Sequence, residues 1–210
     1  MNTIKTIIFF AITLITLFIN GCASVSPSIL NPYPNPLPLK LKSVNFGLEG
    51  NQIIQFSSIK TATIQTDFAT IFGRTLEQNI CEEDRVKWGY ADLRIVFDNW
   101  IYQNSYIPLT ILGSVFYPWW ILGGNVLWYE RIIQVEIGIY DSKKNLIKKY
   151  IIDDYTDAVG IGLYNRNGHY NKKRLSGVEV IHRILQKFQN QIKNDIKFLN
   201  SELTKAGSIG

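Results

Sequence analysis

Two periods of apolar and polar residues run through the chain. Phe68, Ile71, Phe72, Leu76 and Ile80 recur at steps of three or four, which places them on one face of a helix. Thr66 or Asp67 is the expected N-cap. The same spacing is sustained from Val178 through Ile181, Leu185, Phe188, Ile192, Ile196 and Leu199 to Leu203, with Lys187, Lys193 and Lys197 off the stripe. A helix from Ser176 to Leu203 would be about 42 Å long at roughly 1.5 Å per residue. Elsewhere the period drops to two. Leu93, Ile95 and Phe97 alternate with Asp92, Arg94 and Val96. Ile133, Val135, Ile137 and Ile139 alternate with Gln134, Glu136 and Gly138. Both read as half-buried strands. The second is followed by a polar turn, residues 141–145 (DSKKN), and a returning segment from Leu146 to Tyr155, the best hairpin in the chain. Leu39 to Phe46 (LKLKSVNF) and Ile53 to Phe56 read as two further strands, separated by the turn sequence GLEGN. Strand, helix, strands, helix predicts an α+β fold. Its sheet should be open and mostly antiparallel, packed by a short helix and a long C-terminal one.

From Asn99 to Tyr129 there is no charged residue. It is rich in rings, among them Trp100, Phe116, Tyr117, Trp119, Trp120 and Trp128. Pro108, Pro118, Gly113, Gly123 and Gly124 interrupt it, which disfavours a membrane-spanning helix. Two readings stay open. Buried strands joined by a Pro/Gly turn would absorb the apolar residues. An exposed loop would dock on a partner or dip into a bilayer, with Phe116, Tyr117, Trp119, Trp120 and Trp128 as the contact residues.

The N-terminus speaks to compartment. Lys5 precedes an uncharged run, Ile7 to Phe18, of 12 residues. A bilayer-spanning helix needs about 20 apolar residues, whereas a signal-peptide core needs roughly 7–15. Ile19-Asn20-Gly21-Cys22 follows. This resembles the lipobox of bacterial lipoproteins: an aliphatic residue, a small residue, then a Cys whose thiol receives the lipid. The resemblance implies cleavage before Cys22, a diacylglycerol thioether there and often an acylated amine (palmitate-type chains). It also implies that the partner of the chain is a lipid bilayer reached through acylated Cys22. Ala23, where retained enterobacterial lipoproteins have Asp, implies the outer membrane, with the domain in the periplasm. Residues 1–21 are then a signal peptide, 22–38 a Pro-rich tether and 39–210 a single α+β domain. Five of the seven prolines, Pro27, Pro32, Pro34, Pro36 and Pro38, fall in the tether. They favour extended backbone, either as a spacer or laid along the domain surface. Ile111-Leu112-Gly113 to Pro118, with the strand from Ile132 to Tyr140, is similar to a segment of small uncharacterised Gram-negative outer-membrane lipoproteins. That likeness specifies no activity.

Composition narrows the chemistry. There are two Cys; with Cys22 lipidated, Cys81 has no intrachain partner, so it is read as a buried small hydrophobe. Lys plus Arg number 22 against 17 acidic residues, and losing Lys5 with the signal leaves 21 against 17, a net charge of +4. That suits anionic headgroups and does not call for nucleic acid. His169 and His182 stand apart, with no cluster of ligands beside them, so no metal is expected. Asp153, Asp154 and Asp157 read as a solvated rim rather than a cation site. Gly160, Gly162 and Gly168 match neither a dinucleotide fingerprint nor a P-loop and read as a flexible, solvated surface loop, made basic by Arg166, Lys172, Lys173 and Arg174, with headgroup or phosphate contact as the alternative. No G-x-S-x-G is present, and Ser176 near His182 is proximity in sequence only. No catalytic residue and no cofactor is assigned. The expected role is a non-catalytic envelope lipoprotein that binds a partner protein or membrane component. The alternatives are a lipid- or hydrophobic-ligand-binding transport auxiliary and a hydrolase.

Overall fold

The computed structural model describes residues 26–46, 61–102, 125–157, 159–162 and 166–209. Cys22, the segment from Ile53 to Phe56, and Phe116, Tyr117, Trp119 and Trp120 lie outside them.

Among the described residues five strands form one open, mixed sheet, and the fold is α+β. They are β1 (Asn45–Phe46), β2 (Gly89–Tyr102), β3 (Asn125–Asp141), β4 (Leu146–Tyr155) and β5 (Val159–Gly162). Their order is β1-β2-β3-β4, and β5 pairs the first residues of β3. β1 runs parallel to β2; the other pairings are antiparallel. The helices are α1 (Thr61–Thr75), prolonged by a π-turn at Leu76–Ile80, and α2 (Arg166–Ala206).

The period-two pattern fixes the sheet's core face. Ile133, Val135, Ile137 and Ile139 are fully buried, and their β4 partners include Ile152 and Tyr150. Asp141 closes the hairpin: its carboxylate accepts from the backbone N–H of Lys143 and Asn145, both at 2.8 Å. The helical stripes meet this face. All five α1 stripe residues and all eight of α2 are buried. Phe188 joins the layers, its ring against Phe72 of α1 and Tyr150 of β4. The opposite sheet face carries exposed Phe97, Ile101, Ile151 and Tyr155.

Several expectations are corrected. The LKLKSVNF strand shrinks to Asn45–Phe46 and a single bridge between Leu41 and Cys81, because its apolar residues face helices rather than a strand partner. α1 begins at Thr61, so Asp67 is not a cap. It lies buried within the helix, and both its oxygens accept from Arg174 at 2.8 Å. The Gly-rich loop is in part strand: Val159–Gly162 pairs with residues from Tyr129 back to Asn125. α2 then begins at Arg166, ten residues before the expected Ser176. β2 is longer than its alternation announced, because a register shift between Ile95 and Phe97 exchanges its faces. Beyond it Asp98 and Trp100, not Phe97, point to the core side.

From Ser26 onward the tether is no spacer. Pro27–Leu30 is a 3-10 turn capped by Ser26, and Leu37 is buried in the core. The Ile29 carbonyl bonds His182 Nε2 at 2.9 Å, Arg74 donates to Asn31 Oδ1 at 2.7 Å, and Asn79 Nδ2 donates to the Tyr33 carbonyl at 2.9 Å. Extended Pro-rich backbone leaves its amides and carbonyls available, and α1 and α2 supply the side chains that take them. This segment is a strap laid along the two helices.

Candidate functional site

The ring-rich stretch enters the described residues at its two ends, and those ends are paired: Tyr102 of β2 faces Tyr129 of β3. Below that tip lies a layer of cations and rings. Arg131 of β3 forms a two-pronged ion pair with Asp98 of β2, both side chains about 5% exposed or less. The same guanidinium lies 5.3 Å from the Trp100 ring. Lys173 of α2 brings its ammonium to 5.0 Å from Trp100 and 5.4 Å from Tyr129, within reach of a cation–π attraction. Thr156, just past β4, accepts from the Arg131 N–H at 2.7 Å and donates its own N–H to the Arg131 carbonyl. Trp128 is half-buried on the other face of β3.

Sequence reasoning missed Asp98 and Arg131, and it placed Lys173 in a basic loop rather than on α2 against Trp100. The bulge before Phe97 decides which side Asp98 takes, and α2's early start decides what Lys173 meets. The signal available was weak: an Asp and an Arg flanking an otherwise uncharged stretch.

The residues weighed for catalysis are held in structural bonds. His182 is buried, bonded to the Ile29 carbonyl and lying 4.6 Å from the Tyr33 ring. Ser176 donates to the carbonyl of Lys173, one turn back. Cys81 is buried as expected, and burial pushes its thiol from 9.0 up to about 11, so little thiolate exists at neutral pH. Asp153 and Asp157 are exposed, but Asp154 is buried, which corrects the solvated-rim reading for that residue. Arg183 and Lys187, reaching from α2, supply its counter-charges. Its side chain points to the helix face of the sheet, where a solvated carboxylate has no room. His169 lies in the first turn of α2 rather than in a loop. Among the described residues no group of three or more His, Cys, Asp or Glu is placed to hold a metal ion, and no helix is long and apolar enough to cross a membrane.

A cavity of about 680 Å³ opens at the other end of the sheet. Val44, Phe46 and Leu76 line it, and Glu77, Glu82, Glu83 and Asp84 rim it. Four carboxylates make a poor mouth for an acyl chain. The cavity expected of a ligand-binding auxiliary, between the ring-rich stretch and the terminal helix, involves residues outside those described.

No protein-family model and no curated protein matches the sequence. Among solved structures, the crystal structure of a minor lipoprotein from Acinetobacter baumannii is similar at 14% identity and a TM-score of 0.38. The match covers 76% of this chain and 95% of that one. So loose a superposition leaves both fold and function to this chain's own residues.

Proposed function

We propose that the chain is an outer-membrane lipoprotein of the bacterial envelope, acylated at Cys22 and non-catalytic. It holds its α+β domain close to the bilayer, where that domain binds a partner protein or membrane component. The observation that carries this reading is the lipobox at Ile19–Cys22 behind a signal-length apolar run. The strap supports it. Ile29, seven residues beyond Cys22, bonds His182 of α2. Seven residues span at most about 25 Å when fully extended. An acylated Cys22 would therefore hold the domain within about that distance of the headgroups. The structural bonds of His182, Ser176 and Cys81 favour a binding role over hydrolysis, because a nucleophile needs an adjacent base to activate it.

The test is intact mass on protein purified from its native membrane, for wild type and Cys22→Ala. Cleavage before Cys22 with added acyl chains, lost in the variant, is the expected result. A mature chain without acyl mass would overturn the reading.

A further inference from the structure

β4 ends the strand order of the sheet among the described residues, so one of its sides meets no strand there. Its even-numbered residues turn their backbone groups to β3, as Thr156 just beyond it does in donating to the Arg131 carbonyl. By alternation, Lys149, Ile151, Asp153 and Tyr155 turn theirs to the open side. Side chains of α2 meet two of them. Lys187 Nζ donates to the Asp153 carbonyl at 2.8 Å, and Arg183 donates to the Tyr155 carbonyl. The Tyr155 N–H is taken by Asp154 Oδ1 at 2.8 Å. Tyr155 is therefore closed on both groups, and Asp153 on its carbonyl. Lys149 and Ile151 have no backbone partner on that side among the described residues, and Ile151 is 52% exposed.

An uncapped strand edge is a template for another strand. The occupant that this edge fits is a second copy of itself, antiparallel about a two-fold axis. Charge selects the register. Centred on Lys149 or on Asp153, the pairing sets two like charges directly opposite, and they repel. Centred on Tyr150 or Ile152, it sets Ile151 opposite a charge. Centred on Ile151, it sets Ile151 against Ile151 and each Lys149 against an Asp153, with Lys148 opposite Asp154 on the other face. That register needs the Asp153 carbonyl, and Lys187 holds it. The same ammonium lies 3.5 Å from the buried Asp154 carboxylate, which keeps it at the edge.

We infer that the β4 edge from Lys149 to Asp153 fits the same edge of a second copy of this chain, Ile151 opposite Ile151, and that Lys187 of α2 holds it closed by occupying the Asp153 carbonyl. Removing the Lys187 donor frees one carbonyl in each copy and opens the run Lys149, Ile151 and Asp153. Arg183 still stops the pairing at Tyr155 and still pairs Asp154.

The experiment is disulfide trapping of the full chain in detergent. Ile151→Cys puts a thiol on the two-fold axis, where paired Cα atoms would stand about 5.5 Å apart, within disulfide reach. After mild oxidation, mass spectrometry reads the peptide that joins position 151 to position 151. Adding Lys187→Met, which keeps the stem and drops the donor, should raise its yield about tenfold. Lys187→Arg, which keeps a donor, should leave the yield at that of Ile151→Cys alone. Asp153→Lys in the Lys187→Met chain would set lysine against Lys149 and should return the yield to that level. The Lys187 side chain is 50% exposed, so the fold stays intact, which buried Cys81 reports by resisting alkylation. Equal yields with and without the Lys187 donor, or a yield that Asp153→Lys leaves unchanged, would overturn the inference. So would cross-linking confined to samples in which Cys81 reacts.

Discussion

Arg131 and Asp98 are a buried ion pair whose removal in halves is costly. Taking away one partner leaves a desolvated charge, and such losses run to about 3–5 kcal/mol. Arg131→Met should therefore lower unfolding free energy in urea by about that amount. The double variant Arg131→Met/Asp98→Leu should recover most of it, since apolar replacements of a buried pair are often neutral. A single-variant loss well under about 1 kcal/mol would mean that water reaches Asp98.

Cys81 makes a pH prediction with a definite sign. Its folded pKa of about 11 lies above the ordinary 9.0, so the folded state keeps its proton longer than the unfolded chain. The stability this contributes is intact below pH 9 and is lost as pH rises from 9 through about 11. Burial and the bond to Asp195 also raise the Tyr150 phenol, which adds to the alkaline loss. Cys81→Ala should flatten part of that alkaline decline in urea titrations while costing core packing at every pH. An alkaline limb identical to wild type would show that the thiol is not shielded.

Two glycines separate a hard backbone constraint from a soft one. A Cβ on Gly89 would stand 2.2 Å from the Tyr140 carbonyl oxygen and 2.7 Å from Leu203 Cδ2, so β2 could not start where it does. A Cβ on Gly138 would meet the Tyr140 ring at 2.6 Å, and that half-buried ring can swing outward. Gly89→Ala should thus cost about 1–3 kcal/mol and Gly138→Ala less, in parallel thermal melts. The reverse ranking would contradict the close approach of α2 to the strand end.

The elements differ in how much of them the sequence discloses. The hairpin and both helical stripes are legible because burial repeats with the period of the element itself. The bulge between Ile95 and Phe97 is not, since Val96 looks like any other strand residue. Asp67 reads as a cap because a short acidic side chain before an apolar run normally is one. Its true role depends on Arg174, 107 residues away, and no local pattern encodes such a partner. The strap fails for a related reason. Proline spacing announces extended backbone but says nothing of what lies beneath it, so His182, Arg74 and Asn79 had to be seen in place. Of the candidate site, the aromatic wealth of the tip was legible, while the charges that pack under it were not.

For the whole molecule, the strap lies along both helices, and His182 is its upper fastening. His182→Ala removes both the bond to Ile29 and the contact with Tyr33. Amide exchange at residues 27–33 should then accelerate, while protection of the β3–β4 hairpin stays as it was, because local opening and global unfolding are separate events. If the hairpin loses protection in step, strap and sheet form one cooperative unit and the fastening is structural for the entire domain.

The direction of that strap also governs how the protein bears load. With Cys22 acylated as proposed, drag on the domain would enter the strap at its N-terminal end. Its fastenings at His182, Arg74, Asn79 and Asn200 are spread along the strap's axis, and β1 beyond them runs parallel to β2. A pull along that axis would strain these bonds together, in shear, where a perpendicular pull would peel them one at a time. Tension from a lipid on Cys22 would in that case be shared along the length of the helices.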